Sequence, residues 1–220
     1  MIEKPAYEKL MEKLKEDIIS GKIPMGTRIT IADIAEKYKV SSMPAREAIK
    51  SLQSEGYVEI IPRRGARVKE FNAKFVGNVY DVMGALEQMI MKSAVESLSD
   101  SQIETWIKIA DKHRALFEAG KFEEVFFVNK EFHGYLFDCC GNVPGKDAYE
   151  RCYTSLNVVR SRFGISRERT EQACKEHYLM AELLKMREKA AADVALNHTL
   201  RAKEYMMRRL NELSSVPVAS

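Results

Sequence analysis

Four histidines occur in this 220-residue chain, and His133, His177 and His198 fall in the middle of stretches with helical periodicity. His177 and His198 lie on consecutive segments that turn near residue 188, each about ten residues from the turn. In an antiparallel hairpin, positions equidistant from the turn sit at one height, so the two imidazoles can meet. Asn129 precedes His133 by one helical turn, which puts both side chains on one face, roughly 6 Å apart at the backbone. The same mirror argument about a turn near 143 sets Tyr153 opposite His133 and Asn157 opposite Asn129, with Arg160 on the Asn157 side. The product is a chamber with three imidazoles and an amide oxygen on one wall and a tyrosine, an amide and a guanidinium across from it. Three neutral imidazoles suit a borderline divalent ion such as Zn²⁺ or Ni²⁺, with an open position for water or a ligand carboxylate. His113, between Lys112 and Arg114, reads as an ordinary hydrogen-bonded core histidine.

The elements that must hold this chamber are helices. Beyond residue 74 no strand signal appears, and six helices are predicted at about 74–98, 101–119, 121–140, 145–163, 167–188 and 190–213. Ser99-Asp100, Ala119-Gly120, Gly141 to Gly145, Gly164 to Ser166 and the Glu188-Lys189 region separate them. Short loops imply an antiparallel all-α bundle. Glu131 points away from the Asn129/His133 face, and Glu176 projects roughly 100° from His177. On that reading no carboxylate stands near the ligands as a general base, which weighs against a metalloenzyme of hydrolytic or oxygen chemistry.

A second constellation precedes the bundle. Ile31, Ile34 and Ala35 mark a short helix; after a tight connection Ser41 and Ser42 offer a cap to a second, whose apolar positions are Ala45, Ala48, Ile49 and Leu52. Gly56 stops it, and β-rich runs at 57–61 and 66–68 flank Pro62-Arg63-Arg64-Gly65, a basic hairpin tip. This is a helix-turn-helix with a wing. An amphipathic helix over residues 5–20, with Leu10, Leu14 and Ile18 on one side, closes its core. Ser41, Ser42, Met43, Arg46 and Lys50 occupy the start and outward face of the second helix, the end such motifs insert into the major groove. Arg46 can bridge guanine O6 and N7 or hold a phosphate, and Lys50 suits a phosphate. Arg63 and Arg64 would reach the neighbouring backbone or minor groove.

Val40-Ser-Ser-Met-Pro-Ala-Arg-Glu-Ala-Ile-Lys-Ser-Leu-Gln-Ser-Glu-Gly-Tyr-Val, followed by Pro62-Arg-Arg-Gly-Ala-Arg-Val, resembles the winged helix of the GntR family of bacterial transcription regulators over about residues 5–70. Ala32 and Ser42 stand where that family often has arginines, so its usual operator core does not carry over, although Arg46, Gly65 and the wing arginines do. Asn129-Lys-Glu-Phe-His133, Gly141-Asn142, Glu176-His177 and His198 resemble the FCD effector domain of the FadR branch over about residues 75–212, in its shorter, VanR-type six-helix variant. The resemblance implies Asn129, His133, His177 and His198 as metal ligands, a small carboxylate effector and a homodimer on a double-stranded operator, most relatives being repressors released by ligand. Asparagine in place of the aspartate at 129 removes a negative charge, which lowers metal affinity and strengthens the pull on an anionic effector. Met83 stands where the family often has an arginine, leaving Arg160 to anchor the ligand carboxylate.

Composition agrees with a mainly α protein of two parts: a winged helix-turn-helix over 1–70, a linker at 71–75, a helical domain over 76–213 and a frayed tail from 214. Residues 1–70 carry 14 Lys+Arg against 11 Asp+Glu, and the rest carry 21 against 21, so the whole net charge of +3 sits on the DNA-binding part. No apolar run reaches the roughly 20 residues of a membrane span and no apolar leader is present, which predicts a cytoplasmic protein. Cys139, Cys140, Cys152 and Cys174 lack metal-knuckle spacing and read as free thiols. Met89, Met91, Ile103 and Trp106 fit either a dimer interface or the core. An architectural DNA-binding dimer without a ligand is the remaining alternative.

Overall fold

The computed structural model describes residues 5–214, which form two compact units. One comprises the chain through Asn72 together with Thr154–Arg162; the other comprises Ala73–Tyr153 and the chain from Phe163 onward. The expected tail from 214 lies, past its first residue, outside the described residues.

The first unit begins with α1 (Ala6–Ile19), which buries Leu10, Leu14 and Ile18 as its periodicity predicts. It also buries Asp17, an acidic residue that must be paired to be tolerated there. Tyr38 donates its hydroxyl to Asp17 Oδ2 at 2.7 Å, and Lys13, Lys22 and Lys37 stand 3.7–3.8 Å from the carboxylate. The Tyr38 hydrogen bond, aided by those lysines, holds the carboxyl below its usual range despite burial. A two-residue strand β1 (Arg28–Ile29) leads into α2 (Ile31–Tyr38), whose start is fixed by a reciprocal capping box between Thr30 and Asp33. Lys39 in the left-handed region ends α2, and α3 (Ser42–Ser54) packs Ala45, Ala48, Ile49 and Leu52 inward. Strands β2 (Val58–Ile61) and β3 (Gly65–Val68) then close an antiparallel sheet of order β1-β3-β2, with Arg28 opposite Arg67. The winged helix-turn-helix is thus as expected, except that β1 is too short to leave a periodic signal.

Gly65 owes its place to packing. A Cβ there would stand 2.5 Å from the Ile29 carbonyl oxygen and 3.2 Å from Thr30 Cα, at a φ of +91°. No other residue lets the wing cross β1 so closely.

The second unit is built from α4 (Ala73–Ser97), α5 (Asp100–Glu118), α6 (Phe122–Cys139), the first part of α7 (Val143–Phe163), α8 (Arg167–Lys185) and α9 (Ala190–Ser214). These are the six expected helices. Two ends differ. Helix α7 starts two residues early because the Asn142 side chain accepts a hydrogen bond from Gly145 N at 2.9 Å, so the Gly141-to-Gly145 stretch is a capped helix start with Pro144 in the first turn. Helix α8 stops at Lys185, and Arg187, with φ of 60°, turns its guanidinium to the Leu98 carbonyl at 2.6 Å and to Asp100 at 2.7 Å.

Helix α4 lies along α9, α5 lies against α6 and α8, and α8 against α9. Gly84 permits the first approach, since a Cβ there would come 3.1 Å from Leu196 Cδ1. The core centres on an aromatic stack: Trp106 on Phe132 at 4.3 Å, and Phe132 on His177 at 4.0 Å. Trp106 donates its indole N–H to the Phe132 carbonyl at 2.7 Å. Trp106, Met91 and Ile103 are core residues, so of the four interface candidates only Met89 remains exposed.

Candidate metal centre and nucleic-acid interface

Helices α6, α8 and α9 bring His133, His177 and His198 together in the interior, with one possible ligand atom from each lying within 4.8 Å of the others. Their ring centroids are 5.1 Å apart for His133 and His177, 5.3 Å for His133 and His198, and 4.9 Å for His177 and His198. All three are buried.

Two of the three rings are held from behind by carboxylates. Glu87 on α4 places Oε1 3.2 Å from His133 Nδ1, and Glu176 places Oε2 2.6 Å from His198 Nδ1. The Glu176 hydrogen bond fixes the His198 tautomer and leaves Nε2 as the ligating atom, the arrangement that orients an imidazole on a metal, and Glu87 stands at ion-pair distance from His133. Glu87 is itself held by the Thr199 hydroxyl. Arg169 donates to Glu176 Oε2 at 3.1 Å and to the His198 carbonyl at 3.1 Å, while Arg201 donates to Glu176 Oε1 at 2.9 Å. Burial pushes the Glu176 carboxyl up, but the His198 hydrogen bond and charge, Arg169 and Arg201 outweigh it and hold it down at about 2. Contrary to the expectation from the sequence, carboxylates therefore do stand beside the imidazoles. Glu176 does leave α8 at an angle to His177, but its length carries it across to α9, where it meets His198 instead. Glu87 comes from a helix whose height relative to α6 no turn fixes. Glu176 in particular is locked into orienting contacts, which leaves it unsuited to accept a proton from a substrate.

His177 differs from its partners. It is completely buried, and neither Nδ1 nor Nε2 has a hydrogen-bond partner. Desolvation, with the neighbouring His198, His133 and His113 adding to it, pushes its pKa well below the usual imidazole value. Buried polar atoms are rarely left unpaired, and a neutral imidazole aimed at two others is the donor set a divalent ion takes. The three residues fit such an ion.

The other chamber residues are placed as follows. Asn129 is half-buried, one turn before His133 on α6. The ring facing His133 across the bundle is Tyr149, at 6.2 Å, and Tyr153 stands one turn further along α7, 6.0 Å from Tyr149. Tyr149 takes the place expected of Tyr153 because α7 begins at 143, not 145. Tyr153 donates its hydroxyl to the Phe126 carbonyl at 3.0 Å. Asn157 and Arg160, both half-buried, fall in the Thr154–Arg162 stretch that belongs to the first unit. His113, expected to be an ordinary core histidine, is buried on α5 with its ring 4.9 Å from His177 and Nδ1 3.3 Å from Cys174 Sγ. Sequence reasoning gave no reason to place it beside the triad.

In the first unit, Ser41, Ser42, Met43, Arg46 and Lys50 are all exposed along the start and outer face of α3. Ser41 occupies the N-cap position with extended backbone, yet its side chain makes no cap hydrogen bond, so its hydroxyl is not used as a cap. Lys50 stands 3.2 Å from Glu47. Arg63, at φ of 62°, and Arg64 are exposed at the wing tip. Arg28 and Arg67, paired across β1 and β3, are exposed beside them, and Arg28 donates to the Arg64 carbonyl at 2.8 Å. The wing therefore presents four arginines, two of which are legible only once β1 is seen to pair.

Residues 6–68 match the family of bacterial regulatory proteins named gntR, and residues 78–202 match the FCD domain. An uncharacterised HTH-type transcriptional regulator of Bacillus subtilis, YdhC, is 25% identical over 86% of this chain and 84% of its own length. The Escherichia coli HTH-type transcriptional repressor RspR is 22% identical over 96% and 92%. The gluconate operon transcriptional repressor of Bacillus licheniformis is 28% identical over 80% and 74%. Among solved structures, Lar, which controls expression of the Listeria monocytogenes agr system, superimposes with a TM-score of 0.75 at 16% identity, covering 97% of this chain and 100% of that one. Escherichia coli McbR/YncC gives 0.67 at 18%, covering 95% and 100%. At these identities the structures speak for the fold. No helix among the described residues is long and apolar enough to cross a membrane.

Proposed function

The chain belongs to the gntR family of bacterial regulatory proteins and carries an FCD domain, and from that premise we propose that it is a cytoplasmic, ligand-responsive transcriptional repressor. Regulators of this family act on DNA and are not enzymes. The head reads a double-stranded operator with Ser41, Ser42, Met43 and Arg46 on α3, while Lys50, Arg63 and Arg64 hold the backbone. The helical unit holds zinc or nickel on His133, His177 and His198, with Asn129 as the fourth protein donor. A small organic acid takes the open coordination position through its carboxylate, favoured by the neutral amide at 129. Tyr153 is an effector contact only in the sense of shaping the wall, because its hydroxyl is already bonded to the Phe126 carbonyl. The repressor sign is suggested by the relatives named as repressors.

A second copy of the chain completes the assembly. Phe75, Val82 and Met89 recur every seven residues on the outer face of α4 and are 40%, 51% and 38% exposed. An apolar stripe at that spacing suits a like helix across a two-fold axis, which would present two heads to a pseudo-palindromic operator.

The observation that carries the sensing half is His177, completely buried beside two other imidazoles with both ring nitrogens unpartnered. Thermal melting tests it: zinc should raise the melting temperature of chelator-stripped protein, and a set of small carboxylic acids should raise it further only when zinc is present. Acids that stabilise equally without metal would remove the ion from the effector site. Protein that ignores all of them while still binding its operator would be an architectural DNA-binding dimer.

A further inference from the structure

His133 and His198 each have a carboxylate behind them; His177 has none, and the group that stands in that place is His113. We infer that His113 is a positioning residue for the metal centre, accepting a hydrogen bond from the ring nitrogen of His177 that the ion does not use, and that the Cys174 thiol fixes His113 in the tautomer this requires. The inference rests on the metal reading above and extends it to two residues outside the ligand set.

Three observations lead there. His177 lies in a dry interior with two ring nitrogens, and an ion held with His133 and His198 satisfies one of them. The other then carries a proton, and a buried N–H without an acceptor is destabilising. Of the rings around it, Phe132 offers no nitrogen, and His133 and His198 share the ion, so His113, 4.9 Å away between centroids, is the remaining acceptor. The second observation is the far edge of His113, whose Nδ1 lies 3.3 Å from Cys174 Sγ. Neutral imidazole has one donor and one acceptor, so if Nδ1–H donates to sulfur, Nε2 is left to accept from His177. The third is the placement: Cys174 precedes His177 by three residues on α8, so thiol and imidazole share one face of that helix, and the His113 ring of α5 is in contact with both.

Burial pushes the Cys174 thiol up to about 11, so sulfur stays protonated and is not a thiolate ligand. A neutral partner behind one ligand and carboxylates behind the other two makes His177 the least electron-rich of the three donors.

Zinc affinity measured by competition with a chromogenic chelator, on full-length protein, tests the assignment. His113→Phe keeps the ring volume and removes both nitrogens; it should weaken zinc binding by about 10–100-fold, while metal-free melting moves little. His113→Gln restores an acceptor and should recover most of the affinity, and in wild-type protein ¹⁵N spectra should show His113 protonated at Nδ1 once zinc is bound. Wild-type affinity in His113→Phe, or equal weakening in both variants, overturns the inference and leaves the metal centre standing. If His113→Phe does not fold, Cys174→Val serves instead: a loss of a few-fold supports the relay, and unchanged affinity overturns it. Wild-type protein that takes up no zinc overturns the metal reading and this inference with it.

Discussion

The two units solve opposite problems. The head keeps its working side chains on the outside, on elements contiguous in sequence: α3 and the wing lie within residues 41–68, and Arg46, Arg63 and Arg64 project into solvent where a duplex can meet them. The helical unit gathers its candidate site inward from five helices, Glu87 on α4, His113 on α5, His133 on α6, Glu176 and His177 on α8 and His198 on α9, into the buried interior. Binding in the head is a matter of surface charge and geometry, and each residue's contribution should be separable. In the chamber His133 and His198 each face another buried group, Glu87 and Glu176, so single substitutions should propagate.

That contrast predicts a descending series of effects. Glu176→Gln keeps size and removes the charge that faces His198, Arg169 and Arg201; chelator competition should show zinc affinity lowered about 10–100-fold, with operator affinity of the effector-free protein unchanged. Equal losses in both would mean that the two units do not divide the labour. Arg46→Ala should cost on the order of 1–3 kcal/mol on the cognate operator and relax base preference at one position, read by titration against selected sequences. Tyr38→Phe removes the donor on Asp17 and should lower stability by about 1–2 kcal/mol in denaturant titration. Because Asp17 has a folded pKa below its ordinary 3.8, its contribution is present above that value and is lost as pH falls through the folded one. Acid titration should therefore show Tyr38→Phe and wild type converging as pH falls below the ordinary 3.8 and through the lowered folded value, in contrast to a constant gap if the hydroxyl only packs. Arg67→Ala should have the smallest effect, weakening all DNA sequences alike and lowering the slope of log affinity against log salt by about 1.

Legibility in the sequence followed the same line. The helix-turn-helix was readable because its signals are local: Ile31, Ile34 and Ala35 at helical spacing, Gly56 after a second apolar period, two arginines at a hairpin tip. Arg28 and Arg67 were not read as a pair, since a two-residue strand leaves no pattern and its partner is 39 positions away. In the bundle, the pairing of His177 with His198 could be derived because one short turn fixes the heights of both. His133 with Tyr153 was misjudged because Asn142, read as loop, caps α7 and starts it earlier. The places of Glu87 and His113 were out of reach, because they come from α4 and α5, whose register against the other helices depends on side-chain packing, such as the close approach of α4 to α9 at Gly84.

Elemental analysis of purified protein, alongside operator binding by the same samples, bears most directly on the central claim that a metal-holding chamber and a DNA-reading head coexist in one chain. Wild type should carry about one zinc or nickel per chain and His133→Ala/His177→Ala none, while both grip the operator with similar affinity in the absence of effector. Equal metal content in the two, or a wild-type protein with none after growth in supplemented medium, would contradict it.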